Sequence, residues 1–436
     1  MLRLIYYQFN YSKRQWLGTV PVLLVSSLII GISLIGIDSA RSISTNATQL
    51  FQMFIFFGGV TLFLLISNLI HFLLDIFKQD YKLWTISGAN QTQLSFLIAG
   101  QLVITSLFAS LIGNLFAIPL TSYYYHFLQQ FVGSEDLPNL VISVDIKTFL
   151  LSFITVPLIS GIGGYYYARQ ILKRNALFEE VSDKKLTLSK IVKFVLSTIL
   201  VTIWIICIYF IFLGKNSTTY DITIKSSLTL LLLIIHLLVI QAISPSLQSN
   251  LIRIGLKWCL GHHYASVLAS WNILYKPMYF KGLQTSMTMG VTLISGFLLF
   301  VQNAFVGNKA DSIVEAKVSF VAYMLSPIIL ILVNVISLTI LDSEQDMRDM
   351  EQLETLGVSK RHLLWISVIE GLLHTFLICM VSFLFNIIIL GVVNKVVHIM
   401  NMDLKTVESL WLPSLIISLI LFSFIVVTKI SYRVLR

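Results

Sequence analysis

The sequence predicts an all-α polytopic membrane protein with about ten transmembrane helices. Its 436 residues are 56% hydrophobic and only 12% charged, and the mean hydropathy is +0.86, which leaves too little polar surface for a soluble protein. Several apolar stretches are long enough to cross the roughly 30 Å of hydrocarbon in a bilayer as helices of about 20 residues. Backbone groups in lipid must be hydrogen-bonded internally, so we expect each stretch to be a helix.

The apolar stretches divide the chain into ten predicted spans separated by polar connections. In chain order they are 16–37, 50–76, 93–120, 147–168, 191–213, 226–244, 284–304, 319–341, 363–390 and 410–430. With the N-terminus in the cytoplasm, most of the 30 Lys and Arg residues flank the spans on the cytoplasmic side, as the positive-inside rule requires. We therefore expect both termini in the cytoplasm.

The basic residues beside the spans indicate membrane orientation rather than a nucleic-acid partner. The densest cluster runs from Arg169 to Lys193, between helices four and five. Basic clusters next to membrane helices also attract anionic lipid headgroups, so we expect membrane lipid, and no nucleic acid, as a partner.

The N-terminal segment and the cysteines limit the possibilities further. Residues 1–16 are amphipathic and basic, and no small-residue cleavage site follows helix one, so we expect helix one to remain in the protein. Cys207, Cys259 and Cys379 are scattered and form no metal-binding or disulfide pattern. We expect no metal site and no cofactor bound by this chain.

An internal repeat organises the predicted helices. Helices two and three with their connector, 51–120, resemble helices eight and nine, 320–391, when Gly88 is aligned with Gly357, a shift of 269 residues. The same shift aligns further pairs: Asp80 with Asp349, Ala89 with Val358, Asn90 with Ser359 and Gln101 with Glu370. Helix one likewise resembles helix seven. We predict two parallel four-helix repeats, 1–170 and 266–436, that flank a middle helix pair within 171–265.

Each repeat contains a polar connector between its second and third helices. Acidic residues are costly in hydrocarbon, so helix eight must leave the membrane near Asp342. Gly357 suits a helix C-terminal turn, and Ser359 suits the N-cap of the next helix. In the first copy Gly88 supplies the turn, and Asn90 with Gln93 forms a capping pair. Recurrence of helix, tight turn and helix at one register favours a functional connector over a passive hairpin.

The second connector carries a family resemblance. The run from Arg348 to Arg361 resembles the signature of FtsX-like permeases of ABC transporters: an acidic residue, a helix ending Leu-Arg-Ala-Leu-Gly-Ala-Ser/Thr, and a basic residue before the returning helix. Asp349 replaces the usual Glu of this signature, and Glu354 stands where Arg is common. The first copy keeps only four of its residues: Asp80, Gly88, Ala89 and Asn90.

The four-two-four order of helices extends the resemblance to most of the chain. It is similar to the ten-helix permeases that protect Gram-positive bacteria from cell-wall-directed peptides. Those permeases carry a large extracellular domain between helices seven and eight, whereas residues 302–319 here form only a short loop. The predicted outer loops are 122–147 and 394–410, and the location that the resemblance implies is the bacterial plasma membrane.

The resemblance implies that a cytoplasmic ABC ATPase, in two copies, binds the connectors. The sequence does not decide whether a sensor histidine kinase is a further partner. The coupling residues that it implies are Arg348, Asp349, Glu351, Leu353, Glu354, Gly357, Ser359, Asp80, Lys82, Gly88 and Asn90. The chain has no G-x-x-x-x-G-K-[ST] phosphate-binding loop, so ATP and Mg²⁺ are expected in the partner and this chain is not an enzyme.

Polar residues inside the predicted spans are a second set of candidates. Asn68, His71 and Asp75 form a stripe on helix two, because residues three and four apart share a helix face. Glu370 and His374 form an i, i+4 pair on helix nine. Each set is interpreted either as interhelical hydrogen bonding or as a functional site.

Three functions are compatible with these features. The first is the permease or mechanotransmission subunit of an ABC transporter that exports or extracts an amphipathic peptide or lipid-like compound, including bacteriocins and other antimicrobial peptides. The second is a non-transporting ABC regulator of an extracellular cell-wall partner. The third is a proton-coupled secondary transporter that uses Glu370 and His374.

Overall fold

In the computed structural model, most of the described residues are helical. The described residues are 2–11, 13–132, 137–174, 183–213, 219–258, 264–275, 277–303, 325–342, 352–355, 357–399 and 411–434, and none of them lies in a strand. The helices, in chain order, are α1 (Leu2–Tyr11), α2 (Lys13–Leu17), α3 (Val20–Ala40), α4 (Thr45–Ile76), α5 (Lys78–Ile86), α6 (Gln91–Val132), α7 (Ile146–Arg174), α8 (Asp183–Leu213), α9 (Thr219–Trp258), α10 (Tyr264–Tyr275), α11 (Pro277–Asn303), α12 (Leu325–Asp342), α13 (Lys360–Ile399) and α14 (Leu412–Val434). A short helical turn at 352–355 lies between α12 and α13.

The prediction of an all-α polytopic membrane protein is confirmed. Each of the ten apolar windows overlaps one of the long helices within the described residues. Within the described residues, six helices are long and apolar enough to cross a membrane, in α3, α4, α6, α7, α12 and α13. The total of ten spans stays a prediction.

Helices α6 and α13 are longer than the windows that predicted them. They contain 42 and 40 residues, which at 1.5 Å per residue is about 60 Å, twice the thickness of the hydrocarbon core. The predicted loops 122–147 and 394–410 therefore begin as helix, up to Val132 and Ile399. In α6 the extension is held by the loop that follows it, since the Tyr125 hydroxyl donates to the carbonyl of Pro138 at 2.7 Å.

The described residues group into two compact units, the first within Met1–Glu180 and Asp311–Leu341. In this unit α3 packs against α4, α6 and α7. Gly113 sets the approach of α6 to α3, because a Cβ at this position would lie 2.6 Å from the carbonyl oxygen of Leu24. Helix α12 also belongs here, since the Ser326 hydroxyl donates to the carbonyl of Phe54 in α4 at 2.9 Å. The second helices of the two predicted repeats are thus in direct contact.

The second unit lies within Val181–Ala310 and Asp342–Arg436. Its α13 packs against α11, α14, α10, α9 and α8. Buried Asn386 of α13 connects three helices, because its amide nitrogen donates to Ser295 of α11 at 2.6 Å and to Ser414 of α14 at 2.9 Å. Helices α8 and α9 group with this unit, while the predicted division at residues 170 and 265 stays a prediction.

Candidate functional site

The first connector is α5 followed by a tight turn at Gly88. Gly88 has a φ of +92°, a backbone conformation that residues with a Cβ rarely adopt. Its N–H donates to the carbonyl of Thr85 at 3.0 Å, and the N–H of Ala89 donates to the carbonyl of Trp84 at 2.9 Å. These two bonds form a Schellman motif, which satisfies the last carbonyls of α5.

The second connector repeats this turn at the predicted register. Gly357 has a φ of +91°. Its N–H donates to the carbonyl of Glu354 at 3.0 Å, and the N–H of Val358 donates to the carbonyl of Leu353 at 3.1 Å. Every donor and acceptor lies 269 residues after its counterpart in the first connector, so both predicted glycine turns are present with the same hydrogen bonds.

The helices that follow the turns start with matched side-chain pairs. In the first connector the N–H of Asn90 donates to Gln93 Oε1 at 3.0 Å, which is one of the two bonds of a capping box. In the second, Ser359 Oγ lies 2.7 Å from His362 Nδ1. His362 occupies the register position of Gln93, and the repeat therefore identifies a connector residue that the sequence analysis did not select.

The inward face of the first connector rests on an aromatic stack. The Trp16 ring from α2 lies parallel to the Phe77 ring, with centroids 5.7 Å apart, and Phe77 contacts Tyr81 of α5 at 5.8 Å. All three side chains are buried. The N-terminal interfacial helices therefore help to position α5.

The inward face of the second connector rests on α10. Leu353 and Val358, the residues bonded across the turn, pack against a buried cluster that includes Ala265 and Ala269 of α10. The ring of Tyr264, also in α10, meets the ring of His362 edge-on at 6.0 Å. In each unit, the connector thus packs near or against a helix that lies at or before the start of the first predicted span of its repeat: α2 in the first unit and α10 in the second.

Several predicted coupling residues lie outside the described part of the chain. They are Arg348, Asp349 and Glu351. The backbone of α5 is described, but the side chains of Asp80 and Lys82 are not, nor are those of His71 and Asp75 in α4. Their roles stay predictions. Asn68, the third member of the predicted α4 stripe, is buried.

The predicted pair Glu370 and His374 belongs to a buried polar cluster in the second unit. Glu370 Oε1 lies 3.9 Å from His374 Nε2. The opposite ring nitrogen, Nδ1, donates to Gln284 Oε1 at 2.7 Å, while Gln284 Nε2 donates to the carbonyl of His374 at 3.0 Å. The amide of Gln284 in α11 therefore fixes both the ring and the backbone of His374.

Two further side chains extend this cluster to α9. The hydroxyl of Thr288, one turn after Gln284, accepts from Gln248 Nε2 at 2.8 Å. All of these residues are buried, and such polar groups are placed inside membrane proteins either to join helices or for function. The sequence analysis did not select Gln284. A glutamine within a predicted apolar span could have indicated an interhelical hydrogen bond or a functional site.

Comparison with known proteins finds a family match within the first unit. Residues 52–176 match the family model described as FtsX-like permease C-terminal. No curated protein matches the chain. The matched residues contain the first connector, which the sequence analysis had taken as the more diverged copy. The described helices and this match, which covers less than a third of the chain, support an ABC transporter permease-type membrane subunit with a region similar to the FtsX-like permease family.

Proposed function

We propose that this chain transmits the ATP-driven movement of a separate cytoplasmic ATPase, in two copies, to the membrane helices. In this mechanism each connector binds one ATPase subunit, and both ATP and Mg²⁺ are held by that partner. Closure of the ATPase around ATP moves the connectors, and the long helices that follow them carry the movement toward the outer side of the membrane.

The observation that carries this proposal is the duplicated turn. A connector that merely joined two spans would need no fixed geometry, whereas these two share their positive-φ glycine and both hydrogen bonds of the Schellman motif. The continuous helices α6 and α13 begin directly after the turns. Because a helix is stiff along its axis, a displacement at its first turn moves the whole helix.

The proposed substrate is an amphipathic peptide or a lipid-like compound that is exported or extracted from the membrane. Peptide resistance is the activity of the ten-helix permeases that the helix order resembles. The lack of a large domain between helices seven and eight favours a substrate that is taken directly from the membrane, without capture by an extracellular domain.

The test is purification from native membranes in mild detergent, followed by identification of co-purifying proteins and measurement of ATP hydrolysis. We expect a soluble ABC ATPase with the wild type and its loss from the charge-reversed variant Asp349→Lys/Glu351→Lys. The control is Asp38→Lys. Asp38 lies near the C-terminal end of α3, away from the N-terminal helices that pack near the first connector, so this variant should retain the ATPase. A well-folded wild-type preparation without any ATPase would contradict the proposal.

The buried cluster around Glu370 favours proton-coupled transport as a second candidate. A carboxylate and an imidazole held inside the membrane are suited to proton binding. Replacement of Glu370 by Gln keeps the shape and removes the ionisable group. Loss of transport in Glu370→Gln vesicles energised by a proton gradient would support this candidate, whereas unchanged ATP-driven activity would support the coupling mechanism.

A further inference from the structure

The described parts of the two connectors share a Schellman turn but differ in their exposed side chains. At the positions of residues 83–93 and 352–362 whose side chains are described in both copies, exposure matches except at one pair, where Thr85 is half-buried and Glu354 is exposed. Trp84 and Leu353 are half-buried at one matched position, and Ala89 and Val358 are half-buried at another. The repeat therefore fixes which side chains each connector offers to a partner.

The first connector offers an apolar surface. Leu83 and Ile86 are 63% and 66% exposed. Being three residues apart, they are neighbours on one face of α5. At 100° per residue, that face is turned well away from buried Tyr81. None of the residues from 83 to 93 is charged.

Lipid is a poor explanation for this apolar surface. The predicted apolar window of α4 ends at Ile76, and the helix that carries Leu83 also carries Lys78, Asp80 and Lys82. A segment with three charged residues in nine lies outside the hydrocarbon. Two neighbouring large aliphatic side chains exposed at its end form a small apolar patch that a protein partner can bury.

The second connector offers a polar surface at the same positions. Gln352 stands in place of Leu83 and Thr355 in place of Ile86, and both are exposed. The matched stretch 352–362 also contains three charged residues, Glu354, Lys360 and Arg361. This surface can bind a partner through charge pairs, which salt screens, whereas burial of aliphatic side chains is not weakened by salt.

We propose that the two connectors are unequal anchors for the ATPase: the first holds it by burying Leu83 and Ile86, and the second holds it by charge pairing. This inference rests on the proposed function, because it takes an ABC ATPase as the occupant of both surfaces. Because the described turns are alike, the proposed difference between the anchors lies in their exposed side chains.

The test exchanges the matched side chains and measures how salt affects ATPase binding. The apolar-to-polar variant is Leu83→Gln/Ile86→Thr, and the charge-removed variant is Glu354→Thr/Lys360→Gln/Arg361→Thr. Each substitution installs the residue found at the same position of the other connector. Binding to the purified, nucleotide-free ATPase is measured at 0.1 M and 1 M NaCl, where the Debye length is about 10 Å and about 3 Å.

We expect the apolar-to-polar variant to bind at low salt and to lose at least tenfold in affinity at high salt, because only charge pairing remains. The charge-removed variant should depend less on salt than the wild type, because Leu83 and Ile86 remain while the second connector keeps only the charges outside the exchanged residues, such as Arg348, Asp349 and Glu351. Equal salt dependence of the two variants would overturn the inference. Salt-resistant binding by the apolar-to-polar variant at the wild-type level would also overturn it, and would place Leu83 and Ile86 against lipid or a second copy of the chain.

The truncated variant Leu83→Ala/Ile86→Ala provides a second test that introduces no polar group, and it should also lose salt-resistant binding. Size-exclusion profiles and unfolding temperatures of all variants should equal those of the wild type, since the described side chains that are exchanged are exposed. Failure of the wild type to bind the ATPase at either salt concentration would contradict the proposed function itself. Binding by the wild type together with identical behaviour of both exchange variants would contradict only the unequal anchors.

Discussion

Replacement of either connector glycine by alanine should destabilise the protein through backbone strain alone. A Cβ added at Gly88 or Gly357 would meet no atom within 4 Å, so there is no steric contribution. The φ values of +92° and +91° remain, and the left-handed region costs a residue with a Cβ about 1–2 kcal/mol. We therefore expect Gly88→Ala and Gly357→Ala each to lower the free energy of unfolding by about that amount.

Two other glycines provide matched controls for this prediction. Gly59 in α4 and Gly391 in α13 likewise have open space around an added Cβ, but neither has a positive φ. Alanine is favoured over glycine inside a helix by about 0.5–1 kcal/mol. Gly59→Ala and Gly391→Ala should therefore be neutral or stabilising, opposite in sign to the connector variants.

The assay is the apparent unfolding temperature of the four purified variants in one detergent, together with retention of the ATPase. Asparagine tolerates the left-handed region better than alanine, so Gly357→Asn should recover part of the loss. Connector variants as stable as the two helix controls would refute the strain argument and with it the need for glycine at these turns.

Three further changes test the packing around the sites. Gly36→Ala would place a Cβ 2.4 Å from the ring of Phe51, and this overpacking should lower stability by about 1–3 kcal/mol in the same unfolding assay. Gln284→Leu removes the acceptor of the His374 ring proton and should cost about 1–3 kcal/mol; equal unfolding temperatures would show that the bond contributes nothing. Trp16→Ala removes a fully buried ring and should cost about 3–5 kcal/mol and increase proteolysis within 78–93, whereas Trp16→Phe should restore most of both.

The sequence was sufficient to predict both connector turns. A glycine between two polar helical segments has few roles other than a C-terminal turn, and alignment of Gly88 with Gly357 fixed the positions of the remaining turn residues. The capping pair of Asn90 and Gln93 was predictable for the same reason, since side-chain capping is local. Local geometry of this kind depends on residues that are close in the sequence.

The contacts between distant helices could not be predicted in this way. The repeat identifies α12 as the counterpart of α4, but it does not reveal that these two helices touch through Ser326 and Phe54. Part of the polar cluster was missed because the hydrogen-bond partner of Gln284 is His374, which lies 90 residues later in the sequence. The extension of α6 to Val132 depends on a tertiary bond from Tyr125 that no helical periodicity encodes.

Site-specific photo-crosslinking would test most directly whether the connectors bind an ATPase. A photoreactive residue at position 86 or 355 replaces an exposed side chain at the same register of each connector, and position 63, an exposed site in the middle of α4, is the control. Mass spectrometry would then identify the crosslinked protein from native membranes. We predict an ABC ATPase at positions 86 and 355 and none at position 63. Crosslinks to lipid or to other membrane proteins only would contradict the account.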